Sequence, residues 1–197
     1  MPSLPRRITL VRHAMPVVDV AVDPAAWSLS AEGAAAASAL HLATDAVAVS
    51  SPELKALQTV ALARGVATDE VAVDARFREV DRVEAVHDGF REARRAWVTG
   101  VLDSRHEGWE HPDAAARRFH EGLLAHPAEH LVVGTHGMVL TAWMVARGLV
   151  APGAPAAAFW EALGLPAVVE LGAERPPAVM DRAAETLGGA APGQEIR

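Results

Sequence analysis

The sequence predicts an α/β fold, a three-layer α/β/α sandwich around a mostly parallel central sheet. Three observations predict it. Apolar runs of strand length alternate with helix-length stretches along most of the 197 residues. The helical stretches carry start and stop residues at the expected places. Polar residues able to do chemistry follow one strand after another, at the ends where open α/β sheets bind ligands.

The first strand is Ile8 to Val11, and it runs straight into Arg12 and His13. Ser30 is placed to cap a following alanine-rich helix, with Glu32 in its first turn. "AVAVS", Ala46 to Ser50, reads as a second buried strand. In "SPELKALQTVALARG" we expect a helix capped by Ser51, with Pro52 at its first position and Gly65 as its stop. Val71 to Asp74 is the third strand. Charge then becomes dense, and Phe90, Ala93, Trp97 and Val101 recur at helical spacing. A helix beginning near Pro112, a strand at Leu131–Gly134, a helix stopping at Gly148 and a strand in "PAVVELG" complete the pattern. Residues 1–172 read as a single domain, with 78–111 an insertion over the rim of the sheet. Residues 173–197, rich in Pro, Gly and Ala without periodicity, read as a loose C-terminal tail.

Composition narrows the function classes. Apolar residues make up 51% of the chain, and there are no cysteines, so disulfides and thiolate metal sites are excluded. No apolar run reaches membrane-spanning length, and no apolar stretch follows the first basic residues. We therefore expect no membrane partner and no signal peptide, with the cytoplasm as the default location. Net charge is −7 without a basic block, which argues against nucleic acid. The histidines lack metal-site spacing, so no metal and no cofactor are expected. Oligomeric state has no signature in the sequence.

Arg12 and His13, Lys55, Glu79 and His136 all fall after strands, at one predicted rim. A neutral imidazole is a nucleophile able to accept a phosphoryl group. Phosphoryl transfer asks chiefly for alignment and for cations around the equatorial oxygens. Arg12 offers a planar fork of donors, Lys55 a compact cation and His136 a further hydrogen bond. Glu79 is the candidate to protonate the leaving oxygen, as a carboxylic acid kept protonated by burial or by the phosphate charge. Arg82, His87 and Arg91 are further candidates for substrate contact, and a solvated-helix role suits them equally well. Ser51 reads as a helix cap, and Gln58 and Thr59 read as packing.

These elements resemble the histidine phosphatase superfamily, which includes phosphoglycerate mutases and broad phosphatases. "LVRHA" resembles its Arg-His-Gly strand end. "SPELKALQT" resembles its Ser-Pro-x-x-Arg-Ala-x-Gln-Thr element, "FRE" its Leu-x-Glu element, and "VVGTHG" its Ser-His-Gly strand end. The resemblance implies a phosphoglycerate mutase-like sandwich in which His13 is the phosphorylated nucleophile. It implies that Arg12, Lys55 and His136 hold phosphate and that Glu79 is general acid, then base. Ala14 stands where the family has glycine, and Lys55 where it has arginine. After Glu79, "DRVEAVHDG" departs from the family pattern, and "MPVVDVAVD" does not offer the substrate residues of mutases. The resemblance thus favours a metal-independent phosphomonoesterase acting on a small phosphorylated substrate. A mutase-like phosphotransferase and a phosphate-binding module without turnover stay open.

Overall fold

The computed structural model describes residues 7–83 and 89–172, together with the backbone of 175–180. Six strands form one sheet in the order β3-β2-β4-β1-β5-β6. They are β1 (Arg7–Arg12), β2 (Val47–Ser50), β3 (Ala72–Val73), β4 (His130–Thr135), β5 (Ala167–Gly172) and β6 (Arg175–Met180). The four strands from β3 to β1 are parallel, whereas β5 and β6 run antiparallel to their neighbours. The helices are α1 (Ala31–Ser38), α2 (Leu54–Arg64), α3 (Phe90–Thr99), α4 (Pro112–Ala125), α5 (Gly137–Ala146) and α6 (Ala154–Ala162).

Strand alternation divides the core into two layers, because successive side chains point to opposite faces. Ile8, Leu10, Leu131 and Val133 bury into one cluster with Phe119, Leu140 and Trp143, beneath α3 to α6. Val11 and Val132 point the other way and meet Val60 and Ala61 of α2. Gly134 permits that second layer to close down. A Cβ there would lie 2.6 Å from both Ser50 Oγ and Val60 Cγ2. Trp97 of α3 is fully buried in the larger cluster, so the charged 78–111 region contributes to the core as well as to the rim.

Local signals account for several helix ends. Ser30 Oγ accepts the Gly33 N–H, and Gly65 ends α2 at φ +66°. Three expectations need correction. Helix α2 begins at Leu54, with Glu53 and not Ser51 at its cap position. Helix α6 fills a stretch for which the sequence suggested no element; its composition is mostly alanine and gives little amphipathic signal. Residues 175–180 belong to the sheet and not to a loose tail. Pro176 and Pro177 cannot donate to a sheet ladder, and β6 lies at the sheet edge, where a residue without an N–H is tolerated. The remainder of the expected tail lies outside the described residues. Among the described residues, no helix is long and apolar enough to cross a membrane.

Register decides what meets at the rim. Arg12 pairs with Thr135 across β1 and β4, and Ser50 pairs with Gly134 across β2 and β4. The chain therefore leaves three adjacent parallel strands at one level, carrying His13, Ser51 and His136 into a common space.

Candidate active site

The rings of His13 and His136 lie 5.2 Å apart between centroids, tilted by 58°. His13 Nδ1 lies 2.8 Å from the carbonyl oxygen of Ala14. A carbonyl only accepts, so in the neutral ring the proton sits on Nδ1 and the lone pair on Nε2. The backbone around this turn is also held. His13 N–H donates to Thr135 O, and Ala14 N–H donates to Thr59 Oγ1 at 2.9 Å. Thr59 passes the bond on to the carbonyl of Lys55 at 2.7 Å.

Arg12 donates through Nη1 to the carbonyl of Leu163, the residue that closes α6. That carbonyl lies at the negative end of the helix and suits a guanidinium. Arg12 Nε is buried with no partner among the described residues. Gly137 packs closely on this group: a Cβ there would stand 3.1 Å from Arg12 Nε and from Trp160 Nε1, so both side chains would have to give by a few tenths of an ångström.

Lys55 is 6% exposed, an unusual degree of burial for an ammonium. Two acceptors hold it. Nζ donates to Pro24 O at 2.7 Å and to Glu53 Oε2 at 2.5 Å, and it sits 5.9 Å from the Trp27 ring centre. The other oxygen of Glu53 accepts the Glu79 N–H at 2.7 Å and lies 3.3 Å from His136 Nε2.

Glu79 faces the start of α5. Its Oε1 accepts the N–H groups of Val80 at 3.0 Å and Val139 at 3.1 Å. The cap residue of α5, His136, makes no capping bond of its own, so the carboxylate of Glu79 satisfies donors the helix leaves open. His136 is fully buried. Its Nε2 lies 2.8 Å from Ser51 Oγ, and its Nδ1 is buried without a partner among the described residues.

Comparison with known proteins shows the family and the fold. The family model "Histidine phosphatase superfamily (branch 1)" matches residues 8–169. The chain belongs to the histidine phosphatase superfamily. Solved structures resemble it in fold. Mycobacterial glucosyl-3-phosphoglycerate phosphatase in complex with inorganic phosphate is 22% identical, with a TM-score of 0.60 over 85% of this chain and 89% of that one. TTHB049 from Thermus thermophilus is 24% identical, with a TM-score of 0.58 over 87% of this chain and 96% of that one. No protein of curated function matches the chain in sequence.

In this member of the histidine phosphatase superfamily the structure brings together Arg12, His13, Lys55, Glu79 and His136, residues from four separate parts of the chain. Arg82 donates to the carbonyl of Val80 and bears on Glu79 through its charge. Arg91, exposed on the first turn of α3, bears on Arg12 in the same way. His87 lies outside the described residues. Sequence reasoning missed Glu53 and Leu163, and read Thr59 as packing. Ser51, read as a helix cap, instead accepts the Glu53 N–H and meets His136. The two-residue spacing of Glu53 and Lys55 gave no signal of their ion pair, because side chains two apart do not face each other on a helix. Nothing in the sequence pointed to the Leu163 carbonyl. Among the described residues, no group of three or more His, Asp or Glu side chains is arranged to hold a metal ion.

Burial governs the titration of the site. Desolvation, reinforced by His136 nearby, pushes His13 down to about 3. Desolvation also takes His136 down to about 3, with Glu79 opposing. Burial alone would raise Glu79. His136, Arg82 and the N–H groups of Val80 and Val139 outweigh it and bring the carboxyl to about 2. The expectation of a carboxyl protonated by burial is therefore corrected: these donors favour the anion.

A stability prediction follows from the two rings. Unfolded, each titrates near 6.5. Between that value and about 3 the unfolded chain binds more protons, so stability falls as pH falls. The slope approaches about 1.4 kcal/mol per pH unit for each ring. Glu79 adds a loss in the same direction as pH drops from 4.5 to about 2. Urea midpoints should decline from pH 7 to pH 5, and less steeply in His13→Ala. A midpoint that holds level across that interval rejects the assignment.

Proposed function

We propose that the protein is a metal-independent phosphomonoester hydrolase working through a phosphohistidine at His13. One observation carries the reading. Two buried atoms without partners among the described residues, the donor Arg12 Nε and His136 Nδ1, which donates once that ring is protonated, flank an imidazole whose lone pair is held on Nε2. Buried polar groups find partners, so orphaned ones around a nucleophile suit an anionic ligand.

In this mechanism His13 Nε2 attacks phosphorus in line, and the bond to the leaving oxygen breaks. Arg12, Lys55 and His136 stabilise the equatorial oxygens. A bound phosphate places negative charge beside Glu79 and raises its pKa, so that it carries a proton in the complex and passes it to the leaving oxygen. Water then attacks the phosphohistidine and gives its proton to the Glu79 carboxylate. The P–N bond breaks, and the electron pair returns to Nε2.

The substrate class is a small phosphorylated molecule, with Arg82 and Arg91 contributing contacts beyond the phosphate. Family membership and the glucosyl-3-phosphoglycerate phosphatase likeness support that class, while the net charge of −7 speaks against nucleic acid.

A panel of sugar phosphates, phosphoglycerates, nucleotides, phosphopeptides and an aryl phosphate tests the reading, run with chelator present. We expect turnover without added metal and a trapped phosphoryl adduct that is acid-labile and alkali-stable. Hydrolysis that yields no such adduct rejects the phosphohistidine step. The engagement of Lys55 with Glu53 and Pro24 favours one second reading, a phosphate-binding module without turnover. Saturable vanadate binding with no hydrolysis across the panel would select it. Product analysis with a phosphoglycerate isomer detects a phosphotransferase.

A further inference from the structure

Glu53 touches three parts of the site at once. Its Oε2 holds the Lys55 ammonium at 2.5 Å. Its Oε1 accepts the backbone N–H of Glu79 at 2.7 Å and lies 3.3 Å from His136 Nε2. The side chain is 12% exposed, so these contacts are little weakened by water. Nothing in the proposed mechanism uses it.

We propose that Glu53 is a positioning residue that sets the protonation of His136 and holds Lys55 in place of the usual arginine. The inference rests on the phosphate-pocket reading above. Chemistry at the two ring nitrogens carries it. On the Nε2 side, His136 meets Ser51, which can donate or accept, and a carboxylate oxygen, which only accepts. The carboxylate favours a proton on Nε2. In the neutral ring that leaves a lone pair on Nδ1, the buried atom without a partner. An arriving phosphate needs a donor there, so the ring takes a second proton and becomes imidazolium. Glu53 is the countercharge on the far side of that cation, as a carboxylate behind a histidine is in other catalytic sites.

The other charged groups around His136 are Arg12 and Lys55, which oppose its protonation along with Arg82, and Glu79, which favours it. His13 lies beside it and is held neutral by burial. Glu79 is committed to the N–H groups that open α5. Glu53 alone of the two carboxylates contacts both the ring and Lys55. The lysine gains a fixed direction from it. An ammonium on a flexible stem has no planar fork of its own, and two acceptors, Glu53 and Pro24, restrict where its remaining proton points.

The test uses two variants and two readouts. In Glu53→Gln the acceptor next to the ring is kept and the charge is lost. We expect inorganic phosphate to bind about tenfold more weakly or worse by calorimetry. Ring ¹⁵N spectra of the phosphate complex at pH 7 should show His136 as imidazolium in the wild type and neutral in Glu53→Gln. In Glu53→Leu both acceptors are lost, and in the free protein the His136 proton should move from Nε2 to Nδ1. The inference is overturned if Glu53→Gln binds phosphate within twofold of wild type with the same ring protonation. An unchanged tautomer in Glu53→Leu also overturns it. Should wild type fail to bind phosphate, the functional reading falls, and the free-protein tautomer still decides the role of Glu53.

Discussion

Replacing His13 with alanine should abolish turnover of an aryl phosphate, lowering kcat by at least about 10³-fold, the scale seen when a nucleophile is removed. The effect should be large for two reasons. Alanine offers no atom to carry the phosphoryl group, so the two-step route is closed. The remaining cations still bind substrate, so KM should change far less than kcat. The trapped adduct should vanish with the activity. Loss of fold is not the expected cause. His13 is a desolvated base whose ring is penalised for charging, and its removal should lessen acid lability. Urea midpoints at pH 7 and pH 5 provide that control. Hydrolysis by His13→Ala at the wild-type rate would sink the mechanism.

Glu79→Gln should show a leaving-group dependence. Its amide oxygen can still accept from Val80 and Val139, so the start of α5 stays satisfied. What disappears is the transferable proton. With an alkyl phosphate, whose departing alkoxide is strongly basic, kcat should fall by roughly 10²- to 10⁴-fold. With nitrophenyl phosphate the leaving oxygen needs little help, and the loss in the first step should be slight. The second step then limits, because water has lost its base, and rapid quenching should show phosphoenzyme accumulating.

The pH profile separates the two roles further. Hydrolysis requires neutral His13, so activity fails on the acid side as the ring protonates toward about 3. Hydrolysis also requires protonated Glu79 in the complex, so kcat declines as pH rises through its phosphate-raised pKa. Glu79→Gln should erase that alkaline limb for alkyl substrates. Equal losses on alkyl and aryl phosphates, with the limb intact, would exclude Glu79 as the proton donor.

Some of this site was legible because it lies on short, local patterns. Arg12, His13 and His136 follow strands whose apolar runs are plain, and the ends of parallel strands are where ligands bind. Lys55 was legible by position in the Ser51–Thr59 stretch, but not by environment. Its spacing from Leu54 and Leu57 suited an exposed lysine as well as the buried one observed. Glu53 was invisible, because one carboxylate near a helix start is ordinary. Its importance comes from Glu79 and His136, which lie far along the chain, and no local pattern encodes a contact at that range.

By itself the sequence determined the alternation of strands and helices, and the residue types that can transfer a phosphoryl group. Periodicity and capping are local properties, written within a few residues. Only the tertiary structure decided that Glu79 is ionised in the free site, that Glu53 ties Lys55 to His136, and that a proline-bearing segment forms an edge strand of the sheet. Each of these depends on burial and on partners supplied by other strands and helices. Burial sets the cost of a charge, and the partners set whether that cost is met.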